Sequence, residues 1–309
     1  MPVWTATPAW ASSPDPSEGS YSTRGHANCV VLRMEPSPNP PSLLLINPNT
    51  STQVTMLLEQ AALQLCSRLP QPLAVRAVTA PFGPRYITGE VGAAVAAHAA
   101  LEAYADTVAQ GGTPSATLLA CFGDPGLFAL RSLSPTPVLG LAEASMRAAA
   151  QLGPFVVLTG GAAWVPMLHR LAQALSLPAP MLGVQALAHS GGDMAAQPQQ
   201  AVAWLAEAGE QALRRWPDAR ALLLGGAGLA GLAAPLAGRL RVPVLDNVEL
   251  ALDEALRVAL RPAPAREAQV EGTVEKGPWQ GLGVGLSGLL SAAAADAKQD
   301  PAARASSWP

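Results

Sequence analysis

Short apolar runs alternate with helical stretches along most of this 309-residue chain, and this alternation constrains the fold more than any other feature. Runs such as LLLI, VVL and LLL lack the polar alternation of a half-exposed strand, which indicates strands buried on both faces. Eight strands are predicted, at residues 43–46, 73–79, 116–121, 137–139, 155–159, 181–185, 221–224 and 243–246. Helices are predicted at 50–67, 89–109, 141–151, 162–176, 197–214, 229–240 and 247–260. Strands and helices in this order predict an α/β fold with parallel sheets built from right-handed βαβ units.

One strand–turn–helix pattern occurs twice. The strand LLLI ends in a polar turn at residues 47–51, and the strand VVLT ends in a second turn at 159–161, about 110 residues further on. The sequence therefore predicts two similar Rossmann-like lobes, with an active site in the cleft between them at the carboxyl ends of the strands. The first lobe is predicted to contain residues 42–140 plus about 241–262, and the second lobe residues 141–240.

The two ends of the chain differ in composition from its middle. Residues 1–41 are rich in Pro, Ser, Thr and Ala without periodicity, which predicts a disordered N-terminal extension. Residues 263–309 predict a loose C-terminal tail, in which the segment 281–295 can still form a short packed element. The N-terminus lacks the basic and apolar regions of a secretory signal, so the cytoplasm is the expected location. The most apolar stretch, 221–238, contains six glycines or prolines and is interpreted as strand, turn and helix rather than a membrane span.

Charge and metal-ligand patterns exclude several functional classes. Nineteen basic and 22 acidic residues give a net charge of −3, and no Lys/Arg-rich run favours nucleic acid or an anionic membrane as a partner. Three cysteines without Cys-x-x-Cys spacing argue against a disulfide framework or a zinc site. The four histidines are scattered, so no metal site is expected.

Cys121 is the cysteine best placed for chemistry, because it ends a predicted strand where side chains emerge into the crevice of an α/β sheet. The segment Phe-Gly-Asp-Pro-Gly follows, and Asp124 suits the N-cap of a helix. A thiol beside a helix N-terminus has a stabilised thiolate, so Cys121 can act as a base near neutral pH. A buried core cysteine is the alternative for Cys121 and the expectation for Cys66, whereas Cys29 lies in the extension.

Two turns offer groups that can bind a small molecule. In residues 47–51, Asn49 or Thr50 can cap the following helix, and exposed backbone N–H groups can bind a carboxylate. Residues 159–161 offer a hydroxyl and backbone donors at a second strand end. For each turn a purely structural role is the alternative.

A formal G-x-G-x-x-G at residues 226–231 follows another strand, and Asp246 ends the next one. As a dinucleotide fingerprint, this motif would place a pyrophosphate at a helix N-terminus and a ribose on Asp246. Only one further strand follows, and Pro235 lies inside the helix that should carry the phosphate. A nicotinamide-dependent dehydrogenase is therefore kept only as an alternative.

The segments INPNTS, ACFGDPGL, PVLGLAEASM, LLLGGAGLAGL and VPVLDNV occur in the running order of a known family. Over about residues 42–260 the chain resembles the aspartate/glutamate/hydantoin racemase family, in its hydantoin/allantoin racemase-like branch. The resemblance implies two α/β lobes, an active site between them and no cofactor. In that family two cysteines flank the substrate Cα, so that one thiolate removes a proton while the opposite thiol delivers one.

The resemblance implies that Cys121 is the first of these two cysteines. The second is expected in a leucine-glycine-cysteine stretch, which here reads Leu224-Gly225-Gly226, so Gly226 stands where the second thiol is expected. Glycine supplies no proton donor, and three interpretations remain open. A water, His169 or Glu143 serves the second face of a racemase; or the enzyme works from one face, as arylmalonate decarboxylases do with their single, opposite cysteine; or the chain binds a small molecule without turnover.

The function predicted from the sequence is cofactor-independent racemisation or isomerisation at a carbon α to a carboxylate or carbonyl, with Cys121 as the acid/base thiol. The substrate is expected to be an amino acid, a hydantoin or a related carboxylate, and the room left at Gly226 suits a large substituent. A homo-oligomer is compatible with the sequence. The residues expected to bind the substrate are Asn47, Thr50, Ser51, Phe122, Gly123, Thr159, Gly160, Gly226 and Ala227.

Overall fold

The computed structural model describes residues 40–261 and 279–299, all of which belong to one compact unit. The first half consists of β1 (Ser42–Asn47), α1 (Thr52–Cys66), β2 (Ala74–Thr79), α2 (Glu90–Gly111), β3 (Ala116–Leu119), α3 (Leu127–Leu133), β4 (Val138–Gly140) and α4 (Leu141–Gln151). The second half consists of β5 (Phe155–Gly160), α5 (Trp164–Ala174), β6 (Met181–Leu187), α6 (Gly191–Ala196), α7 (Pro198–Arg215), β7 (Ala221–Gly225), β8 (Val244–Asp246) and α8 (Asn247–Ala259). Helix α9 (Val284–Gln299) ends the described chain.

The strands form two four-stranded parallel sheets of the same topology. The first sheet has the order β2-β1-β3-β4 and the second has the order β6-β5-β7-β8, which confirms the predicted α/β fold. In each sheet the second strand in sequence lies on one side of the first strand, and the third strand lies on its other side. The resulting crevice opens at the carboxyl ends of β1 and β3 in one sheet, and of β5 and β7 in the other.

One hydrophobic cluster connects the two sheets. It contains buried residues of β1 and β3, of β5 and β7, and of the helices between them. Helix α4 follows the first sheet but packs against β7, while α8 follows the second sheet but packs against β3. Because each sheet is covered by a helix that continues from the other, the lobes share a core rather than forming two separate ones.

Strand β8 corrects one predicted lobe boundary. Residues 241–262 were assigned to the first lobe, and α8 does pack there. However, Leu222, Leu223 and Leu224 of β7 pair with residues 244–246, so β8 belongs to the second sheet. The chain therefore returns to the first lobe only at α8.

The predicted helix at 229–240 is wrong. This segment contains two 3₁₀ turns, Ala227–Leu229 and Ala234–Leu236, separated by irregular backbone. Glycines with positive φ at positions 226, 231 and 238, together with Pro235, interrupt any longer helix. Conversely, α6 is a short helix that the sequence pattern did not predict, and α3 begins at Leu127, later than an N-cap at Asp124 implies.

Part of the predicted loose tail is a packed helix. Helix α9 contacts α2 and α3, and Leu286 is buried in that contact. The buried carboxylate of Glu102 on α2 accepts a hydrogen bond from the N–H of Gly283, just before α9 begins, at 2.8 Å. The predicted N-terminal extension, up to residue 39, and the rest of the tail lie outside the described residues. Within the described residues, no helix has the length and hydropathy that a membrane span requires.

Candidate active site

The turn after β1 is held by the side chain of Asn47. This buried amide donates to the side chains of Asn49 and Thr55 and to the carbonyl of Ser51, each at 3.0 Å. The Ser51 hydroxyl accepts from the N–H of Val54 and caps α1, so Ser51 takes the role predicted for Asn49 or Thr50. Asn47 and Ser51 therefore shape this turn.

Thr50 occupies the half-buried position between these two structural residues. Its N–H donates to the carbonyl of Pro84 at 3.1 Å, which attaches the turn to the loop after β2. The turn therefore lies at the carboxyl edge of the first sheet, next to the end of β3.

Cys121 lies two residues beyond the end of β3, in a tight loop at the crevice of the first sheet. The loop is closed by a hydrogen bond from the N–H of Asp124 to the carbonyl of Cys121 at 3.0 Å. Gly123, Asp124 and Gly126 all have positive φ values, and Asp124 is one of two non-glycine residues in the described chain with that conformation. The backbone of this loop therefore adopts conformations that an ordinary strand-to-helix connection does not need.

Asp124 does not cap the helix that follows it, which corrects the sequence interpretation. Helix α3 begins only at Leu127. The buried Asp124 carboxylate instead accepts from the N–H groups of Ala142 and Glu143 at 2.9 and 2.7 Å, and so caps α4. A Cβ at Gly140 would overlap the Asp124 carboxylate, so glycine is required there. Asp124 thus ties the cysteine loop to the helix that crosses to the second lobe.

The electrostatic environment of Cys121 also differs from the prediction. Enclosure in the protein, together with the nearby Asp124 carboxylate, raises the pKa of the Cys121 thiol. Burial likewise raises the pKa of Asp124 to about 7. The helix N-terminus that was expected to stabilise the thiolate begins six residues away, at Leu127. The protonated thiol is therefore the predominant form of Cys121 at neutral pH.

The cysteine loop contacts the second lobe through its next two residues. The ring of Phe122 lies against Gly225 at the end of β7, where a Cβ would overlap the ring. Gly123 lies in the same way against the ring of Trp164 at the start of α5. These contacts place the end of β7 beside the residue that follows Cys121.

Gly225→Ala is expected to reduce the free energy of unfolding by about 1–3 kcal/mol, because its Cβ forces Phe122 to move. Gly89→Ala is a matched control, since its Cβ meets no atom within 4 Å. It should change stability by less than about 0.5 kcal/mol. Urea denaturation of both variants checks this, and equal midpoints would contradict the contact between the lobes.

The remaining predicted residues lie at the crevice of the second sheet. The buried Thr159 hydroxyl donates to the carbonyl of Gly225 at 2.8 Å, so it joins the ends of β5 and β7. A Cβ at Gly160 would lie 2.8 Å from the backbone of His189 and of Gly191, so this position also requires glycine. The structure therefore brings the predicted residues together in two groups, one at each crevice.

Gly226 and Ala227 begin the irregular segment after β7. Gly226 has φ +129° and ψ +143°, a backbone conformation that glycine adopts far more readily than any other residue. A cysteine at this position would need a different local backbone. Gly226, the position at which the resemblance predicts a second thiol, thus has a backbone conformation that glycine suits.

The dinucleotide interpretation of this segment is not supported. No long helix follows the G-x-G-x-x-G motif: one three-residue 3₁₀ turn, Ala227–Leu229, lies within it, and another, Ala234–Leu236, comes after it. The carboxylate of Asp246, the expected ribose ligand, accepts from the N–H groups of Val248, Glu249 and Gly231. Those hydrogen bonds cap α8 and fix the loop after β7.

Neither side chain suggested as the second acid is well placed. Glu143 is buried but forms ion pairs with Arg131 and, at 3.1 Å, with Arg147. His169 is exposed on α5. Within the described residues, no cluster of three or more histidine, cysteine or acidic residues can hold a metal ion.

Two α/β lobes of equal topology, with a cysteine loop at the crevice of the first and a glycine-rich turn at the crevice of the second, define a racemase-type scaffold. The chain belongs to the Asp/Glu/Hydantoin racemase family, whose profile matches residues 43–255. A hydantoin racemase from Paenarthrobacter aurescens is 31% identical over 221 residues, which cover 68% of this chain and 87% of that protein.

Solved structures agree with this family. An allantoin racemase from Klebsiella pneumoniae aligns with a TM-score of 0.60 at 30% identity, over 77% of this chain and 97% of that one. An arylmalonate decarboxylase aligns with a TM-score of 0.50 at 20% identity, over 72% of this chain and 96% of that one. The likeness to the decarboxylase shows the fold alone.

Sequence reasoning missed the structural role of Asp124 and the contact partner Trp164. The positive φ of Asp124 was signalled only by its place between two glycines in the loop. The contact of Trp164 with Gly123 joins residues 41 positions apart in sequence, and no local pattern predicts such a contact. Asn247, at the start of α8, was not singled out either.

Proposed function

We propose that this chain is a cofactor-independent racemase or epimerase of 5-substituted hydantoins or related cyclic ureides, with Cys121 as the proton-transferring group. The observation that carries the proposal is the position of Cys121 at the crevice of the first sheet, in a loop whose next residue contacts Gly225 of the second. The family supports a racemase, and the similarity to hydantoin and allantoin racemases favours ureide substrates.

The chemistry needs one deprotonation before the substrate reacts. Cys121 first loses its proton to solvent, and the thiolate then removes the hydrogen from the carbon α to the carbonyl. The electron pair of the broken C–H bond moves into an enolate, whose oxygen the backbone N–H groups at the strand ends can stabilise. Return of a proton from Cys121 regenerates the starting enantiomer, whereas a proton arriving on the opposite face gives the mirror image.

The second face is where this chain departs from a two-thiol racemase. Gly226 brings no donor, Glu143 is engaged by two arginines and His169 is exposed. We infer that water supplies the proton on that face. Because water is a weaker acid than a positioned thiol, exchange on the Cys121 face should be faster than inversion.

The test is proton NMR in D₂O with single enantiomers of 5-benzylhydantoin, allantoin, aspartate and glutamate, followed by chiral chromatography of the same samples. We expect loss of the Cα–H signal for the ureides, with deuterium incorporation faster than racemisation. Exchange with the free amino acids alone would contradict the proposed substrate class. No exchange with any substrate would reject the proposed activity, and release of CO₂ from an arylmalonate would favour the decarboxylase.

The exchange rate is expected to rise with pH through the alkaline side of neutrality. Because burial and Asp124 raise the pKa of Cys121, the thiolate fraction grows about tenfold for each pH unit below that pKa. Initial exchange rates at fixed ionic strength, with the rate of a Cys121→Ser sample subtracted at each pH, measure this dependence. A rate that is constant between pH 6 and 9 would show that the thiol is already ionised.

A further inference from the structure

Asn247, the first residue of α8, has an unusual side chain. Only 1% of the residue is exposed, and neither the oxygen nor the nitrogen of its amide has a hydrogen-bond partner. Thr117 is the only other residue in the described chain with a buried side-chain atom in this state. A buried amide without partners destabilises a fold, so its presence needs an explanation.

Capping of α8 does not explain this amide. The carboxylate of Asp246 already accepts from the N–H groups of Val248 and Glu249, the two donors that an N-terminal side chain would serve. The Asn247 side chain is therefore not needed to cap α8, and burying an amide without partners costs free energy that burying an apolar side chain does not.

The register of the second sheet places Asn247 beside the proposed reaction site. Leu224 of β7 pairs with Asp246, so Asn247 lies next to Gly225 at the carboxyl edge of the sheet. Gly225 is also the residue against which Phe122 packs. Asn247 is thus close in the fold to both the cysteine loop and Gly226.

The helix face places the amide on the side shared by the two lobes. Asn247 is followed at intervals of four residues by Ala251, Ala255 and Ala259. These three alanines belong to the hydrophobic cluster between the two sheets. Helix α8 packs through this region against β3, the strand that leads to Cys121. Asn247 is the polar end of that apolar stripe, at the level of the strand ends where the cleft opens.

We propose that Asn247 is a substrate-binding residue that recognises the cis-amide edge of a cyclic ureide. A carboxamide presents one donor and one acceptor side by side, and a ring –NH–CO– unit presents the complementary pair. Two hydrogen bonds then satisfy both atoms of the amide. A free carboxylate accepts from the nitrogen but leaves the oxygen unpaired, so Asn247 selects hydantoin-like rings over free amino acids. This inference rests on the proposed function.

Binding is measured in the Cys121→Ser protein by calorimetric titration with 5-benzylhydantoin and its 1,3-dimethyl analogue, so that turnover plays no part. Asn247→Leu is expected to raise the Kd of 5-benzylhydantoin about tenfold, consistent with loss of two neutral hydrogen bonds. Dimethylation should weaken binding in the parent protein and have less effect in Asn247→Leu. The Tm without ligand should stay the same or rise.

Thr117→Val is the matched control. It also removes a buried oxygen without a partner, but position 117 shares its strand face with Leu119, which packs towards α2 and α3. The Kd of this variant should not change. Asn247→Ala serves as a second variant if the leucine protein does not fold.

Each outcome decides the proposal. Equal affinity of Asn247→Leu or Asn247→Ala and the parent for 5-benzylhydantoin would overturn the role of Asn247 and leave the proposed activity to the exchange experiment. If 5-benzylhydantoin binds tightly and this binding depends on Asn247, but the native protein shows no Cα–H exchange, the role of Asn247 is supported and the racemase activity is rejected. Absence of binding in the parent protein would overturn the ureide class itself.

Discussion

Replacement of Cys121 by serine is expected to lower the rate of Cα–H exchange by about 10²- to 10⁴-fold, the usual contribution of a positioned acid/base group. Serine keeps the size of the side chain, but its hydroxyl is far too weak an acid to supply a usable base. The free energy of unfolding should change by less than about 1 kcal/mol, because serine has nearly the shape of cysteine. Exchange in D₂O and urea denaturation of the same sample measure the two effects.

Cys66→Ser is the matched control for this variant. Cys66 is the other cysteine in the described part of the chain, and it is also half-buried, at the end of α1. Burial raises the pKa of the Cys66 thiol as well. The two thiols therefore share the direction of their pKa shift and differ in where they lie in the fold. The Cys66 variant should keep its exchange rate. Equal losses in both variants would indicate a general effect on folding, and retained exchange in Cys121→Ser would remove Cys121 from the mechanism.

The strands were the part of the fold that the sequence predicted best. All eight lie at or near their predicted positions. The signal is strongest for the central strands β1, β3, β5 and β7, because a strand covered on both faces requires an apolar run whatever its neighbours are. The crevices then followed from topology, since the carboxyl ends of parallel strands meet at one edge. The residues at 47–51, 121–123, 159–160 and 226–227 could therefore be placed at the strand ends before their contacts were known.

The chemistry of individual side chains was harder to predict. Asp124 suited a local N-cap in sequence, yet its carboxylate binds the start of α4, 18 and 19 residues further on. The thiolate predicted for Cys121 depended on that local helix start, and it is disfavoured by burial and by the same Asp124. Contacts between segments distant in sequence determine both properties, and a local pattern carries no information about them.

The two lobes fix their crevice loops in a similar way. In the first lobe, Asp124 lies in the loop after β3 and binds the N-terminus of α4. In the second lobe, Asp246 caps α8 and also accepts from Gly231 in the loop after β7. Each loop is thereby attached to the start of a helix that also packs on the other sheet.

Asp124→Ala is expected to reduce the free energy of unfolding by about 2–5 kcal/mol. Two buried N–H groups of α4 lose their acceptor, and each unpaired donor costs about 1–3 kcal/mol. Exchange activity should fall as well, since the Cys121 loop loses its attachment. Asp193→Ala is the control, because Asp193 also completes a helix cap, at α6, but in an exposed capping box. Its loss should cost about 0.5–1 kcal/mol.

Asp124→Asn separates the hydrogen bonds of this side chain from its charge. Burial raises the pKa of Asp124 from its ordinary value of 3.8 to about 7 in the folded protein. The carboxyl group therefore stabilises the fold most fully below pH ~4, and this contribution is lost as the pH rises through about 7. Asparagine does not ionise, so the stability of the variant relative to the native protein should increase between pH 4 and pH 8. Urea midpoints across this range measure the difference, and a constant difference would show that Asp124 is ionised throughout and held by α4 and Arg131.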